Sequence, residues 1–234
     1  MYQSAINPKK PSLVFLHGWA DSSTSWLPIL NKLKTKFNLY APDLPYPQNQ
    51  TLTLNDYCQY VLAFLKSKKI KSPILVGHSL GGAIATQIAS SNPKIPKSII
   101  LLSSASIRHL LPQPWRFLQS FTLPLKPIIR PFRKQILKLA HLDASDYEIL
   151  KTKDEKDTFR NLIHHDQRQT LSKISCPTLI LWGDQDSFTP LSDGQKINSL
   201  IKKSVFKTFP NSGHFFYLDY QQEVADTITD FIKS

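Results

Sequence analysis

Apolar and polar positions along the chain alternate between two patterns. Short apolar runs, typical of buried parallel strands, are each followed by turn residues and then by a stretch with helical periodicity. The strand-like runs are 12–18, 37–44, 72–79, 97–105, 176–184 and 203–210. The helical stretches are 25–36, 54–68, 80–91, 191–201 and 221–232. This alternation predicts an α/β fold with a mainly parallel sheet of about six strands and flanking helices.

One long region interrupts the alternation. Between about residues 106 and 173 no run has the character of a strand, and prolines divide the first half of the region. Proline lacks a backbone donor and breaks helices, so we expect short or broken helices here. The pattern predicts that 106–172 form a helical insertion between two strands, while 1–105 and 173–234 form the core.

Composition places the chain among globular proteins. The 234 residues are 41% hydrophobic and 20% charged, which fits one domain with an insertion. No run approaches the roughly 18 apolar residues that span a bilayer, and no apolar segment of a secretory signal opens the chain. We therefore expect a cytoplasmic protein without stable membrane insertion. Cys58 and Cys176 lie in no metal-binding pattern, so we expect two free buried thiols, no metal and no cofactor.

The chain is strongly basic, with a net charge of +12. Such a charge suits nucleic acid, an anionic membrane or an acidic partner. Along the sequence, however, the lysines are scattered, and no nucleic-acid-binding motif accompanies them. We therefore expect a solvated lysine-rich surface and no nucleic-acid partner.

Glycine is rare in the chain and is concentrated beside candidate catalytic residues. Six of the seven glycines lie in the clusters HGW, GHSLGG, WGD and SGH. The segment from Gly77 to Gly81 fits the motif G-x-S-x-G and stands between a predicted strand and a predicted helix. A sharp strand-to-helix turn lifts a serine hydroxyl above the sheet, where the serine can act as a nucleophile. Because serine also favours helix N-caps, a purely structural role for Ser79 is the alternative.

A serine nucleophile needs a base, and the base needs a carboxylate. His214 follows the last predicted strand, in a loop at the carboxyl edge of the sheet, where α/β enzymes place their sites. Asp184 and Asp186 follow the preceding strand. Asp184 adjoins a glycine turn and is expected to hydrogen-bond within its loop, whereas Asp186 lies further out and can reach a neighbouring loop. We therefore predict a triad of Ser79, Asp186 and His214.

The same chemistry needs backbone donors for the oxyanion that forms on the substrate. The N–H of Leu80, directly after the nucleophile, is one candidate. The second donor is expected in the loop after the first core strand, where Trp19 stands in the segment HGWADSS. Simple core packing is the alternative role of Trp19.

At this point the chain resembles the α/β-hydrolase superfamily. The segments HGW, APDLP, GHSLGG, PTLILWGDQDSFTP and SGHFFYLD match its motifs in order and spacing. The resemblance covers essentially the whole chain outside the insertion and is greatest to small bacterial carboxylesterases, including those similar to pimeloyl-acyl-carrier-protein methyl esterase. It implies that Ser79 is the nucleophile, Asp186 the acid, His214 the base, and Trp19 and Leu80 the oxyanion donors. Serine at this position separates the chain from haloalkane dehalogenases and epoxide hydrolases.

The resemblance also makes residues 106–172 a cap over the pocket. From 106 to 142 the sequence has seven Lys or Arg and no Asp or Glu, interleaved with apolar side chains. Apolar cap residues favour a hydrophobic acyl group, with His78, Trp115, Phe121 and Phe215 as pocket candidates. The basic residues can face solvent, bind an acidic carrier protein, or lie on anionic lipid.

The chain departs from the family in two places. The short N-terminal region suggests a trimmed sheet, with at most one extra edge strand. The segment YPQNQTLTL after APDLP lacks the glycines that are usual there.

The sequence therefore predicts a serine hydrolase that cleaves carboxylic esters of small to medium hydrophobic acyl groups through an acyl-enzyme. Lactonase, thioesterase and carbon–carbon bond hydrolase activities use the same triad and stay open. A ligand receptor or carrier-protein-binding module with slow turnover is the alternative of another class.

Overall fold

The computed structural model describes residues 1–107 and 150–234, which contain one seven-stranded sheet. The strand order is β1-β3-β2-β4-β5-β6-β7, and every pair is parallel except β1 with β3. The strands are β1 (Tyr2–Gln3), β2 (Ser12–Leu16), β3 (Asn38–Ala41), β4 (Ile74–His78), β5 (Ser98–Leu102), β6 (Thr178–Gly183) and β7 (Ser204–Phe209).

Helices connect the strands and cover both faces of the sheet. In the described part of the chain they are α1 (Leu27–Leu33), α2 (Leu54–Ser67), α3 (Leu80–Ser91), α4 (Lys153–Ile163), α5 (Leu191–Leu200), α6 (Phe216–Asp219) and α7 (Gln221–Lys233). Short 3₁₀ turns precede α1 and β6, at Ser23–Trp26 and Leu171–Lys173. No helix in these two ranges is long and apolar enough to cross a membrane.

The core lies on both sides of the sheet because successive side chains of a strand point to opposite faces. In β2, Val14 and Leu16 pack with α2 and α3 residues, whereas Leu13 and Phe15 pack in the cluster that contains α1 and α7 residues. All four of these side chains are fully buried. Burial on both faces explains why the sequence of a central strand is almost continuously apolar.

The observed architecture confirms the predicted α/β-hydrolase fold. Each of the six strand-like runs contains a strand, and the possible extra edge strand is β1, two residues long and antiparallel. The helix predicted over 25–36 is divided, since 3₁₀ geometry occupies its start and α1 ends at Leu33. Cys58 and Cys176 are free and buried, as expected.

The predicted insertion is described only in its last part. Residues 108–149 lie outside the described ranges, while α4 begins with a capping box in which Thr152 and Glu155 bond each other's backbone N–H groups. Two α4 side chains hold the backbone of Leu52 in the β3–α2 connection. The Leu52 N–H donates to Thr158 Oγ1 (2.8 Å), and its carbonyl accepts from Asn161 Nδ2 (3.3 Å). The division of the chain into core and cap stays a prediction.

Candidate functional site

Ser79 stands at the junction of β4 and α3 in a strained backbone conformation. Its φ of 51° and ψ of −114° are unusual for a residue with a side chain. The Ser79 N–H donates to Leu102 O of β5 (3.0 Å), and its carbonyl accepts from the N–H groups of Ala83 and Ala105 (3.1 and 3.0 Å). The side chain makes no helix-capping hydrogen bond, so the structural alternative of an N-cap does not account for this serine.

Glycines on either side allow this turn. A Cβ at Gly77 would lie 2.2 Å from the carbonyl oxygen of Gly81, and a Cβ at Gly81 would lie 2.0 Å from that of Leu16. Both distances are far below any real contact, so the backbone of α3 can approach β4 and β2 only because neither position has a side chain. The flanking glycines of the G-x-S-x-G motif are therefore required by packing around Ser79.

His214 and Asp186 meet in the loops that follow β7 and β6. Nδ1 of His214 lies 2.8 Å from Oδ2 of Asp186, and both residues are buried. With the carboxylate ionised, Nδ1 carries the proton and Nε2 keeps its lone pair. The structure therefore brings together the two predicted partners from neighbouring loops, in the orientation that a general base requires.

The Asp186 carboxylate accepts three further hydrogen bonds. Oδ1 accepts from the N–H groups of Phe188 and Thr189 (both 2.9 Å), and Oδ2 accepts from the Thr189 hydroxyl (2.8 Å). Burial raises the pKa of Asp186, but the bonds from His214 and Thr189 outweigh it, so the net pKa is lowered. Asp186 is thus held as an anion beside the imidazole.

Asp184, the competing carboxylate, has a different environment. Its Oδ1 accepts from the Ser212 N–H (3.3 Å) and so links the two loops. The sequence predicted a hydrogen bond within its own loop, whereas this bond reaches the neighbouring loop after β7. Asp186, not Asp184, contacts His214.

His78 connects the Ser79 turn to the His214 loop. Its Nε2 lies 3.0 Å from the backbone carbonyl oxygen of His214, and the two imidazole centroids are 4.6 Å apart. Burial and the neighbouring His214 lower the pKa of His78 to about 3, so the ring is neutral and donates from Nε2. Sequence reasoning proposed His78 as a pocket residue, but only 1% of it is exposed, so here its side chain supports the site.

His17 orders the loop that carries Trp19. Its Nδ1 donates to the carbonyl oxygen of Gly18 (2.8 Å), and its Nε2 accepts from the N–H of Leu44 (2.8 Å). Burial lowers the pKa of His17, which keeps the ring in the neutral form that both bonds need. A Cβ at Gly18 would lie 3.2 Å from Nδ1 of His78, so this loop packs directly on the Ser79 turn.

The Trp19 side chain packs between two aromatic rings from other segments. Its centroid is 6.0 Å from Tyr46 in the β3–α2 connection and 5.7 Å from Phe159 of α4. Burial and the nearby Glu155 carboxylate of α4 raise the pKa of Tyr46. Trp19 therefore joins α4 to the loop whose backbone faces Ser79.

The remaining pocket candidates divide into two groups. Phe215 is 48% exposed and its ring packs edge-on to His214 (5.3 Å). Phe188, which sequence reasoning did not single out, is 42% exposed and lies 5.2 Å from the same imidazole. Trp115 and Phe121 lie outside the described residues.

Among the described residues, the Ser79 hydroxyl makes no hydrogen bond to His214. Such bonds are often long in enzymes without substrate and tighten when substrate binds. The two loops are adjacent all the same, since His78 precedes Ser79 in the chain and contacts His214.

Comparison with known proteins agrees with this geometry. Residues 13–227 match the model of the alpha/beta hydrolase family. The chain belongs to this family. Its sequence is 23% identical to an uncharacterized hydrolase, YugF, of Bacillus subtilis (strain 168), over 99% of this chain and 93% of that protein. It is 26% identical to the pimeloyl-[acyl-carrier protein] methyl ester esterase of Hamiltonella defensa, over 100% and 97% respectively.

Solved structures share the fold of this hydrolase. A bacterial membrane phospholipase A described as a virulence factor superimposes with a TM-score of 0.75 at 23% identity, over 99% of this chain and 81% of that one. At that identity the likeness supports the fold and leaves the substrate open.

Three supporting residues of the hydrolase were missed from the sequence: Thr189, Tyr46 and Phe159. Thr189 had a usable signal, because a threonine three positions after an aspartate is placed to bond back to its carboxylate. Tyr46 and Phe159 had none, since they meet Trp19 only through the packing of α4 on the β3–α2 connection.

Proposed function

We propose that this hydrolase is a serine esterase with Ser79 as nucleophile, His214 as general base and Asp186 as its carboxylate partner. One observation carries the proposal: a strained serine at the β4–α3 junction follows His78, which contacts His214, and Nδ1 of that buried imidazole is 2.8 Å from a carboxylate. Serine is a weak nucleophile at neutral pH and needs such a base.

In the first half of the reaction, Ser79 Oγ attacks the ester carbonyl carbon while Nε2 of His214 takes the hydroxyl proton. Asp186 stabilises the imidazolium that forms. The tetrahedral intermediate collapses, the carbon–oxygen bond to the alcohol breaks, and the imidazolium gives its proton to the leaving alkoxide. An acyl-enzyme on Ser79 and a free alcohol result.

In the second half, His214 takes a proton from water, and the hydroxide attacks the acyl carbon. The second tetrahedral intermediate expels Ser79 Oγ, which recovers its proton from the imidazolium. The carboxylic acid leaves and the enzyme returns to its starting state.

The oxyanion is assigned to the backbone N–H groups of Trp19 and Leu80. Leu80 opens α3, so its N–H is not needed by the helix and lies at the positive end of the helix dipole. The bonds of His17 to Gly18 and Leu44 support the second donor, because they fix the backbone next to Trp19. Donors held in place before reaction stabilise developing charge without reorganising.

A hydrophobic acyl group is the proposed substrate class. Phe188 and Phe215 flank His214 with half-exposed rings, which suits an apolar chain. We assign 106–172 to a cap, of which α4 packs on the core through Thr158 and Asn161. The relative that acts on a methyl ester linked to a carrier protein supports an acyl-carrier ester as one member of this class.

The test is hydrolysis of p-nitrophenyl acyl esters of graded chain length by the wild type and by Ser79→Ala. Ser175→Ala is the matched control, because Ser175 is an exposed serine that precedes β6, at the edge of the sheet opposite to Asp186. We expect activity and fluorophosphonate labelling in the wild type and the control, with both lost in Ser79→Ala. Equal activity in Ser79→Ala would overturn the assignment of the nucleophile.

The same panel separates the alternatives. Faster turnover of lactones, thioesters or carbon–carbon substrates with labelling intact would keep the triad and change the reaction. If the protein binds these ligands but does not turn them over, and Ser79 does not react with the fluorophosphonate probe, the protein is a receptor or carrier-binding module instead.

A further inference from the structure

The lysines that look scattered in the sequence are collected by the fold at one edge of the sheet. Six short segments lead into the amino ends of the six parallel strands β2 to β7. They contain thirteen lysines and no Arg, Asp or Glu. These amino-edge segments are 4–11, 34–37, 66–73, 92–97, 171–177 and 201–203. Their lysines are Lys9, Lys10, Lys34, Lys36, Lys66, Lys68, Lys69, Lys71, Lys94, Lys97, Lys173, Lys202 and Lys203.

Backbone hydrogen bonds tie most neighbouring segments together, so the lysines form one row. Strands in a sheet are about 4.8 Å apart, and six strands therefore spread the row over about 24 Å. Register places the β2 and β4 segments side by side, since Leu13 pairs with Ile74. The other links are Asn38 N–H to Pro11 O (2.9 Å), Lys97 N–H to Pro73 O (2.9 Å), Ile99 N–H to Pro177 O (3.1 Å) and Thr178 N–H to Lys203 O (2.9 Å).

The charge of the row is not compensated by ion pairs among the described residues. None of the thirteen lysines forms an ion pair with a residue of 1–107 or 150–234. All but Lys10 and Lys68 are exposed. Helix dipoles explain few of them, because only Lys34, Lys66 and Lys68 lie in the last turn or cap of an α-helix, and Lys173 ends a 3₁₀ turn of three residues. The rest concentrate like charge, which destabilises the folded chain.

We propose that this row of lysines binds the surface of a membrane that contains anionic lipids. Such a membrane is a broad, flat array of mobile negative headgroups, and each lysine near it adds to the attraction. Charge complementarity over about 24 Å is the feature that the row and this surface share.

The side chains of the amino-edge segments favour lipid over the other polyanions. Nucleic-acid sites commonly add arginine forks and aromatic stacking to their basic charge, and these segments have no Arg and a single aromatic residue, the buried Phe37. Protein interfaces need an apolar centre and are depleted of lysine. Ile6 is the one large apolar side chain that these segments expose.

The binding mode orients the enzyme. Parallel strands of five residues separate the two edges of the sheet by about 16 Å, and Ser79 and His214 lie at the other edge. The candidate catalytic site therefore faces water when the lysine row lies on the membrane. This inference goes beyond the proposed esterase activity and does not depend on it.

Binding is tested by sedimentation of the full chain with vesicles of phosphatidylcholine alone, or mixed in equal parts with phosphatidylglycerol. We expect binding only to the mixed vesicles, weakened as salt rises to about 0.15 M. The variant Lys71→Glu/Lys94→Glu/Lys97→Glu should bind at least about 100-fold more weakly. The control Lys151→Glu/Lys156→Glu/Lys196→Glu changes the net charge equally at other places and should bind within about threefold of wild type.

Three results would overturn the proposal: equal binding to both vesicles, equal loss in both triple variants, or displacement from the vesicles by duplex DNA bound more tightly at the same salt. The last result would assign the row to nucleic acid. Ser79→Ala should bind vesicles like the wild type, so failure of the esterase proposal would leave this test intact. Hydrolysis of a soluble ester should be unchanged by vesicles, and its loss on binding would contradict the orientation.

Discussion

The two edges of the sheet carry opposite kinds of side chain. The loops that leave the carboxyl ends of β2, β3, β5, β6 and β7 contain four aspartates and no Lys or Arg within the described residues. These carboxyl-edge loops are 17–22, 42–53, 103–107, 184–190 and 210–215, and their aspartates are Asp21, Asp43, Asp184 and Asp186. The amino-edge segments carry thirteen lysines and no acid.

The edges also differ in how their polar groups are satisfied. At the carboxyl edge, Asp186, His214, His78 and His17 are buried, and each is hydrogen-bonded to a neighbouring loop or a side chain. At the amino edge, the charged groups extend into solvent. A buried hydrogen-bonded network holds its polar groups at fixed positions. Exposed lysines contribute charge, but their flexible side chains do not hold that charge at one position. The carboxyl edge is therefore suited to catalysis by fixed polar groups, and the amino edge is suited to electrostatic attraction.

The largest effect is expected from removing the proposed nucleophile at the carboxyl edge. Ser79→Ala should lower kcat by about 10⁶-fold, because a triad without its nucleophile keeps only the contribution of the oxyanion site and of binding. The free energy of unfolding should change little, since the Ser79 side chain makes no helix-capping hydrogen bond and alanine keeps its Cβ. Ester hydrolysis and urea unfolding on the same preparation measure both. Residual kcat above one hundredth of wild type would refute the role of Ser79.

The next largest effect is expected at the carboxylate. Asp186→Asn should lower kcat by about 10⁴-fold, because an amide in this place favours the wrong tautomer of His214. Asp184→Asn is the matched control, since Asp184 bonds the Ser212 N–H and not the imidazole. We expect the control to keep kcat within about tenfold. A larger loss in Asp184→Asn than in Asp186→Asn would reverse the assignment.

Acid should destabilise the carboxyl edge through its buried imidazoles. The pKa of His78 is lowered to about 3 in the folded chain, while the unfolded value is near 6.5. The unfolded state therefore binds the extra proton, and stability falls as pH drops below 6.5. From pH 7 to pH 5 the loss is about 2 kcal/mol. His17, whose pKa is also lowered by burial, acts in the same direction.

Urea unfolding at the two pH values measures this loss, and His78→Asn supplies the comparison. The substitution removes a titrating ring, so the fall in stability between pH 7 and pH 5 should become smaller whatever its effect at neutral pH. An unchanged pH dependence in His78→Asn would mean that other groups cause the acid sensitivity.

Periodicity and turn chemistry were enough to predict most of the fold. The run ILVGH before Ser79 is buried on both faces and became β4, and the helix predicted over 80–91 has the observed limits. The start of α1 was placed wrongly because Pro28 and the capping serine Ser22 favour a 3₁₀ turn first. Strand β1 has two residues, too few for any period to be visible.

The sequence predicts those site residues that directly follow the ends of predicted strands. Asp186 and His214 were found because parallel strands deliver their carboxyl ends to one edge. His78 was assigned to the pocket because its neighbour is the nucleophile, yet its ring is enclosed and bonds His214 O. The lysine row escaped notice for a related reason: its members are far apart in sequence and meet only when six strands align.

The contact of Trp19 with α4 offers a smaller test of the carboxyl edge. Phe159→Leu should lower kcat by about tenfold with KM little changed, because the backbone N–H of Trp19 is held less firmly where the oxyanion forms. Ile163→Ala on the same helix is the control, since Ile163 is 49% exposed. A rise in KM with kcat unchanged would assign Phe159 to substrate binding instead. Equal effects of the two substitutions would point to α4 stability alone.

The smallest effect on catalysis is expected from substitutions at the amino edge. Lys71→Glu/Lys94→Glu/Lys97→Glu should keep kcat/KM for a soluble ester within about twofold, because those side chains lie about 16 Å from the site and are screened by salt. Its free energy of unfolding at low salt should rise by about 0.5 kcal/mol, since the substitutions relieve like-charge crowding. Unfolding at low and high salt checks this, because the gain must shrink as salt screens the row. A variant destabilised at low salt would mean that these lysines already have favourable partners, and the row would then be a structural device rather than a free surface.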